Sequence, residues 1–444
     1  MSTSSLDLYR QVLFPTLVAG VRIAGLFHPR IREAFEARRR WRQTAVFGSP
    51  EGDRIRIHVH VASAGELEQA LGIRSAFERI RGDVYWSISF SSPSGRRHLD
   101  NRSEEFETVS YLPLDRHSEV GKFLDVVRPD VILFIRYDLW PIFVEESRSR
   151  GIPMMLACGT IGEGRLQTPL IRTLTRGTLA SLTRISAVSS VEAERLRRAA
   201  PGIPVQVDGD ARLDRVFDRG DRPPPAEVDR VRSWLAGRPA MVLGSTWPKD
   251  EELWSGTEIP EGTVLVIVPH HVDSEHVADL RSRFERNVLL SELQSDSSGE
   301  GRARGATVLI VDALGLLADL YCLGLLAWVG GGFGEGVHSV AEPAAAGLPV
   351  LAGTRIERSP DAVALEAIGG LRVVRDAAGL AEAVRDLLPG GRERRTAERA
   401  VEEWVGRERG GASRIAEVLS DMIDRNVTGR REFQRSENTA GGYR

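Results

Sequence analysis

Short apolar runs alternate with helical patterns through most of this chain, and the series runs twice. The first contains "RIHVHVA" (56–62), "VYWSISFSS" (84–92), "VSYLPL" (109–114), "VILFIR" (131–136), "PMMLACG" (153–159) and "RISAVSS" (184–190). The second contains "AMVLGST" (240–246), "TVLVIVPHH" (263–271), "ATVLIVD" (306–312), "LLAWVGGG" (325–332), "LPVLAG" (348–353) and "GLRVVR" (370–375). Apolar strands separated by helices call for a parallel sheet covered on both faces. Between the two series, "FDRGDRPPPAEVDR" (217–230) breaks the rhythm with three consecutive prolines. A chain of 444 residues also exceeds one ordinary core.

The expected fold class is therefore α/β, with two Rossmann-like doubly wound domains at residues 46–218 and 231–425 and a linker at 219–230. Residues 426–444 lack periodicity and are expected to be disordered, and "SELQSDSSGEGRARG" (291–305) is expected as a polar surface loop. Ligands of such sheets sit beyond the carboxyl ends of the strands, so a cleft between the domains is expected. Many glycosyltransferases and some sugar-nucleotide epimerases share this architecture, so the reaction must be read from particular residues.

Residues 1–45 differ from the rest. "LYRQVLFPTLVAGVRIAGLFH" (8–28) is apolar but interrupted by Arg10, Pro15 and Arg22, and an arginine-rich stretch follows it. That order suits a helix lying on a membrane surface; the alternative is a packed helix pair with a solvated basic face. The net charge of −3 gives no global field for nucleic acid. Two cysteines, Cys158 and Cys322, are too few for a disulfide framework or a zinc site.

Several strand ends carry chemistry-bearing residues. In "VASAGELEQA" (61–70) Glu66 opens a helix, either as a cap or as a base that takes a proton from an attacking hydroxyl. The hydroxyls of "SISFSSPSGRRHL" (87–99) suit an anion or an ordinary cap. Alternation puts Arg136 and Asp138 on one face, as a salt bridge or as a cation aimed at ligand. "VDGDARLDRV" (207–216) adds Arg212, for an anionic ligand or for interdomain ion pairing. In the second series, "GSTW" is a candidate phosphate loop, and adjacent His270 and His271 make awkward ligands for one metal. The glycine-rich loop after residue 329 leads to Ser339 and Glu342, three apart as in a capping box. It lacks the Walker pattern, and its position in the domain fits a nicotinamide fingerprint poorly.

Taken together, "SAGE", "YLPLD", "DLW", "GDARLD", "GSTW", "VPHH", "VDALGLLADLY" and "GGGFGEGVHSVAEPAAAGLPVLAG" resemble, in order, the 3-deoxy-D-manno-octulosonic acid (Kdo) transferases that glycosylate lipid A. The resemblance implies a GT-B glycosyltransferase at the cytoplasmic face of the cell inner membrane. It implies inverting transfer from CMP-Kdo to a lipid A precursor, with neither metal nor cofactor, and no nucleic-acid partner. It implies Glu66 as general base, Arg212 and Arg136 near the transition state, and CMP contacts at Pro269, His270, Leu314, Gly315, Leu316, Ser339, Val340, Ala341 and Glu342. This chain departs from the common pattern at Arg136, which replaces a glutamate, at His270, which replaces an arginine, and at Ser339, which replaces an asparagine. The alternatives are a sugar-nucleotide enzyme of the same fold, such as a UDP-sugar 2-epimerase, and a non-catalytic sugar-nucleotide-binding protein.

Overall fold

The structure is a computed structural model that describes residues 3–48, 52, 54–99, 105–162, 168–218, 223–295 and 305–428. The chain divides into two compact units, Met1–Arg215 with Gly410–Arg444, and Val216–Arg409.

The sheet of the first unit contains β1 (Ile55–Val61), β2 (Val84–Phe90), β3 (Thr108–Tyr111), β4 (Val131–Ile135), β5 (Met154–Gly159), β6 (Arg184–Ala187) and β7 (Val205–Val207). Their order is β3-β2-β1-β4-β5-β6-β7, and every pairing is parallel. The second sheet contains β8 (Ala240–Thr246), β9 (Val264–Pro269), β10 (Asn287–Leu289), β11 (Val308–Ile310), β12 (Leu326–Val329), β13 (Val350–Ala352) and β14 (Leu371–Val373). Its order is β10-β11-β9-β8-β12-β13-β14, again all parallel. In each sheet the chain order reverses at one place, between β1 and β4 and between β8 and β12, which is where such folds hold ligands.

The strands read as apolar runs because both faces are covered. All five residues of β4 are fully buried, and so is Ile57, Val59 and Val61 of β1. Two strands were not expected from the sequence, Val205–Val207 and Asn287–Leu289. Each has three residues, lies at a sheet edge and is mostly half-buried or exposed.

Four boundaries differ from the sequence reading. The expected second domain ran to residue 425, but the helix Gly411–Ile423 belongs to the first unit. Its stripe of Ile415, Ala416, Leu419, Met422 and Ile423 is buried in the first unit's core, packed against the helix Ala64–Glu78. The Asp214 carboxylate accepts the backbone N–H groups of Gly410 and Ala412, which fixes the start of that helix. The expected linker closes early, since a helix begins at Ala226. Part of the expected loop at 291–305 is helical, Leu290–Ser295, and 296–304 lie outside the described residues. The expected disordered tail lies outside them from 429 onward, whereas 426–428 continue a helical turn.

Residues 1–45 are not a separate appendage. A helix covers Leu6–Phe27, 22 residues with mean hydropathy 1.2, long and apolar enough to cross a membrane by length and composition. One side enters the first unit's core through Tyr9, Phe14 and Val18, joined by Phe35 and Trp41 from the segments that follow. Leu17, Ile23, Leu26 and Phe27 on the other side are exposed. The Tyr9 hydroxyl donates to Asp115 at 2.8 Å, and Asp115 also accepts the N–H groups of Ile142 and Phe143. Arg38 donates to the carbonyls of Leu112 and Pro113 and lies 3.9 Å over the Trp140 ring. The helical hairpin is thus bonded to the "YLPLD" and "DLWP" segments.

Candidate functional site

The first unit gathers charge at its reversal point. Glu66 opens the helix Ala64–Glu78 directly after β1. The Ser63 hydroxyl accepts the Glu66 N–H at 3.3 Å, and Glu66 Oε2 accepts the Ala62 N–H at 2.6 Å. This is a reciprocal capping arrangement, and it fixes where the carboxylate lies. Burial raises the Glu66 pKa, and the Asp138 carboxylate adds to the rise; the Ala62 N–H, His60 and Arg136 work against it.

Beside Glu66 runs a buried polar chain that the motifs did not reveal. Side chains of β1 and β2 alternate in it: Ser87, His58, Ser89 and His60, with contacts of 2.9–3.0 Å, ending on Asp138 at 2.9 Å. Parallel pairing in register places His58 beside Ser87 and His60 beside Ser89. Because the Asp138 carboxylate only accepts, His60 donates to it from Nε2. Burial by itself would raise Asp138, but hydrogen bonds from His60 and Ser91 hold it well below the usual carboxylate range. His58 is pushed down to about 3 by burial and by its neighbour His60, so it is neutral. The sequence signal was present: two histidines at i and i+2 inside an apolar strand, facing two serines of the next strand.

Arg136 and Asp138 do not share a face. Arg136 has φ 57, so the strand's alternation stops before it. Its guanidinium lies 3.6 Å from Asp210, and Arg212 lies 3.8 Å from the same carboxylate. Asp210 also accepts from Gln69 Nε2 at 2.7 Å and from the Arg212 N–H. Both arginines therefore converge within the first unit, on one carboxylate, and neither ion pair is interdomain. The hydroxyls expected to hold an anion are engaged internally. Ser91 donates to Asp138, and Ser92 to the Ala62 carbonyl.

The second unit's reversal point has a different build. A cavity of about 430 Å³ lies in the first unit among the helical hairpin and Ser91–Ser94, whereas one of about 290 Å³ lies in the second unit, lined by Ser245, Gly315, Leu317, Ala318, Tyr321, Val329, His338, Ser339 and Glu342. Three residues expected at a CMP site, Gly315, Ser339 and Glu342, share this second cavity. Pro269 ends β9, and His270 reaches the site by stacking on His338, with ring centroids 4.6 Å apart. Leu314 is 75% exposed, whereas Val340 and Ala341 are fully buried, so these three do not join the lining. The expected capping box at Ser339 and Glu342 does not form. The helix spans only Ala341–Ala345, its cap is Val340 in a helical conformation, and no side chain caps it. The turn before this helix is shaped by backbone bonds: the Gly336 N–H and His338 N–H bond to the Gly331 and Gly330 carbonyls.

Close backbone approach explains the glycines. A Cβ on Gly330 would stand 2.2 Å from the Ser245 carbonyl oxygen, and one on Gly244 would stand 2.0 Å from the Tyr321 hydroxyl. That hydroxyl is fully buried and, among the described residues, has no hydrogen-bond partner. Ser245 lines the cavity from the expected phosphate loop, whereas Tyr321, Trp247 and His338 are residues the site reading did not single out, although each lies in a quoted motif.

A family model described as 3-deoxy-D-manno-octulosonic-acid transferase (kdotransferase) matches residues 35–215. A 3-deoxy-D-manno-octulosonic acid transferase of Haemophilus influenzae is 23% identical over 432 residues, 93% of this chain and 97% of its own. One from Chlamydia muridarum is 28% identical, over 63% of this chain and 66% of its own.

The chain is similar to the Kdo transferases over nearly its whole length.

It is accordingly a glycosyltransferase. Among solved structures, UDP-GlcNAc 2-epimerase from Neisseria meningitidis is similar in fold, with TM-score 0.60 and 13% identity, covering 84% of this chain and 100% of that one. A glycosyltransferase from Rickettsia africae gives TM-score 0.51 and 12% identity, covering 84% and 100%. These two likenesses concern the fold alone, which is GT-B. The likeness to Kdo transferases comes from the sequence relatives.

Proposed function

We propose that this chain transfers Kdo from CMP-Kdo to a lipid A precursor in lipopolysaccharide synthesis, with inversion and with Glu66 as general base. The observation that carries this reading is the setting of Glu66. One carboxylate oxygen is fixed by the Ala62 N–H, and burial raises the group's pKa, so it is a more willing proton acceptor than an exposed glutamate. The acceptor's hydroxyl oxygen attacks the anomeric carbon of Kdo. The bond from that carbon to the phosphate oxygen breaks, CMP leaves with the electron pair, and Glu66 takes the hydroxyl proton. Arg136 and Arg212, both turned toward Asp210, stabilise the developing negative charge.

The donor's nucleotide belongs to the second unit's cavity, at Gly315, Ser339 and Glu342. The exposed apolar side of Leu6–Phe27 rests in the cytoplasmic face of the inner membrane, which brings the lipid acceptor to the enzyme. The decisive measurement is CMP release from CMP-Kdo with and without a lipid A precursor. Release that requires the acceptor supports the reading. Release indifferent to the acceptor, or none at all, overturns it.

A further inference from the structure

The second unit's site holds an imidazole whose tautomer is dictated by its neighbour. The Trp247 indole N–H donates to His338 Nε2 at 2.9 Å. An indole N–H is a donor only, so His338 Nε2 must offer a lone pair, and the ring's proton must sit on Nδ1. The two ring planes are parallel to within 8°, with centroids 6.3 Å apart. His270 stacks over both, 4.7 Å from Trp247 and 4.6 Å from His338, each at 18°. Both partners are anchored to the same loop. Asp250 Oδ2 accepts the N–H groups of Trp247 and Gly331, and the His338 N–H bonds to the Gly330 carbonyl. The His338 side chain lines the 290 Å³ cavity, together with the buried Tyr321 hydroxyl, which has no hydrogen-bond partner among the described residues.

We infer that His338 is a ligand-binding residue of this cavity, donating from Nδ1–H to an oxygen of the sugar nucleotide, and that Trp247 is the positioning residue that sets its tautomer. The inference rests on the donor reading above and adds to it. A neutral imidazole in water exchanges its proton between two nitrogens and turns about χ2. Here one nitrogen is committed, so the other becomes a fixed donor, prepared before the ligand arrives. Burial first, and His270 second, disfavour the charged form of His338, consistent with a ring that must remain an acceptor toward Trp247.

The test uses the full chain, CMP as probe, and two isosteres. His338→Asn keeps an N–H donor near the Nδ1 position; His338→Gln moves it toward the Nε2 position. Calorimetric CMP affinity is expected to stay within a few-fold of wild type in His338→Asn and to fall about tenfold in His338→Gln. Trp247→Phe is expected to weaken CMP about as much in wild type, and far less in the His338→Asn background. Nitrogen-15 shifts of the His338 ring should show the Nδ1–H tautomer in wild type and a mixture in Trp247→Phe, which loss of packing alone would not produce. Equal losses in Asn and Gln variants that melt like wild type overturn the His338 assignment and leave the donor reading standing. An Nε2–H tautomer in wild type overturns the role of Trp247. A wild-type chain that does not bind CMP overturns the donor reading itself.

Discussion

The two reversal points are built on the same topology and in opposite chemistry. At β1 and β4 the first unit concentrates titratable groups, His58, His60, Glu66, Arg136 and Asp138; His60 bonds to Asp138 at 2.9 Å, and Ser89 links His60 to His58 at 2.9 Å on each side. At β8 and β12 the second unit places glycines against backbone and a stack of three flat rings, Trp247, His270 and His338. One arrangement sets proton affinities, and the other sets shape. The difference teaches that a doubly wound sheet supplies only the location of a site. The residues just past the strands decide whether that location moves protons or receives a ligand.

The largest expected effect separates these roles. Glu66→Gln should lower the transfer rate by roughly 10²–10⁴-fold while CMP affinity, measured by calorimetry, is unchanged. A variant that transfers at the wild-type rate breaks the assignment of proton chemistry to the first unit.

Acid should discriminate next. His58 has a folded pKa of about 3, below its ordinary value near 6.5. Between those values the unfolded chain binds a proton that the folded chain refuses. The His58 contribution is therefore fully present above about pH 6.5 and is lost as pH falls toward 3, on the order of 1 kcal/mol per pH unit. Urea unfolding at pH 7 and pH 5 should show a difference in wild type that shrinks in His58→Leu. An equal difference in both would show that the buried chain of histidines and serines is not the acid-sensitive element.

The smallest effect compares glycine with glycine. Gly65→Ala has its nearest neighbour, Ser63 Oγ, at 4.0 Å in the first turn of a helix, and should change stability by at most about 1 kcal/mol, in the favourable direction. Gly330→Ala meets the Ser245 backbone at 2.2 Å and should lose about 1–3 kcal/mol. Thermal melts of the two variants check this, and a tolerated Gly330→Ala would mean that close packing is not what shapes the second site.

Much of the architecture was legible in the chain itself. Twelve of the strands stand out as apolar runs, whereas Val205–Val207 and Asn287–Leu289 do not; these two lie at sheet edges with most of their side chains half-buried or exposed, so little apolar pattern is demanded of them. The position of Glu66 was equally legible, since a tight turn after a buried strand must deliver the next helix's first residues to the strand's carboxyl end. Arg136 was misjudged because alternation holds only while the backbone is extended, and its φ of 57 ends that regime one residue past β4. Ser339 and Glu342 have capping-box spacing, yet the helix starts at Ala341, where the glycine turns deliver it.

By itself, then, the sequence determined two parallel α/β units, the motifs at their strand ends, and an apolar helix near the start. Those properties follow from local periodicity and short-range turn chemistry, which neighbouring residues encode. Only the tertiary structure decided that Asp138 rests on His60, that Arg136 and Arg212 share Asp210, that Gly411–Ile423 completes the first unit, and that Trp247 sets the proton of His338. Apart from Arg212 and its near neighbour Asp210, each of those partnerships joins groups that are dozens to hundreds of residues apart. Strand register and helix packing select them, and no local pattern records which distant atom will be the partner.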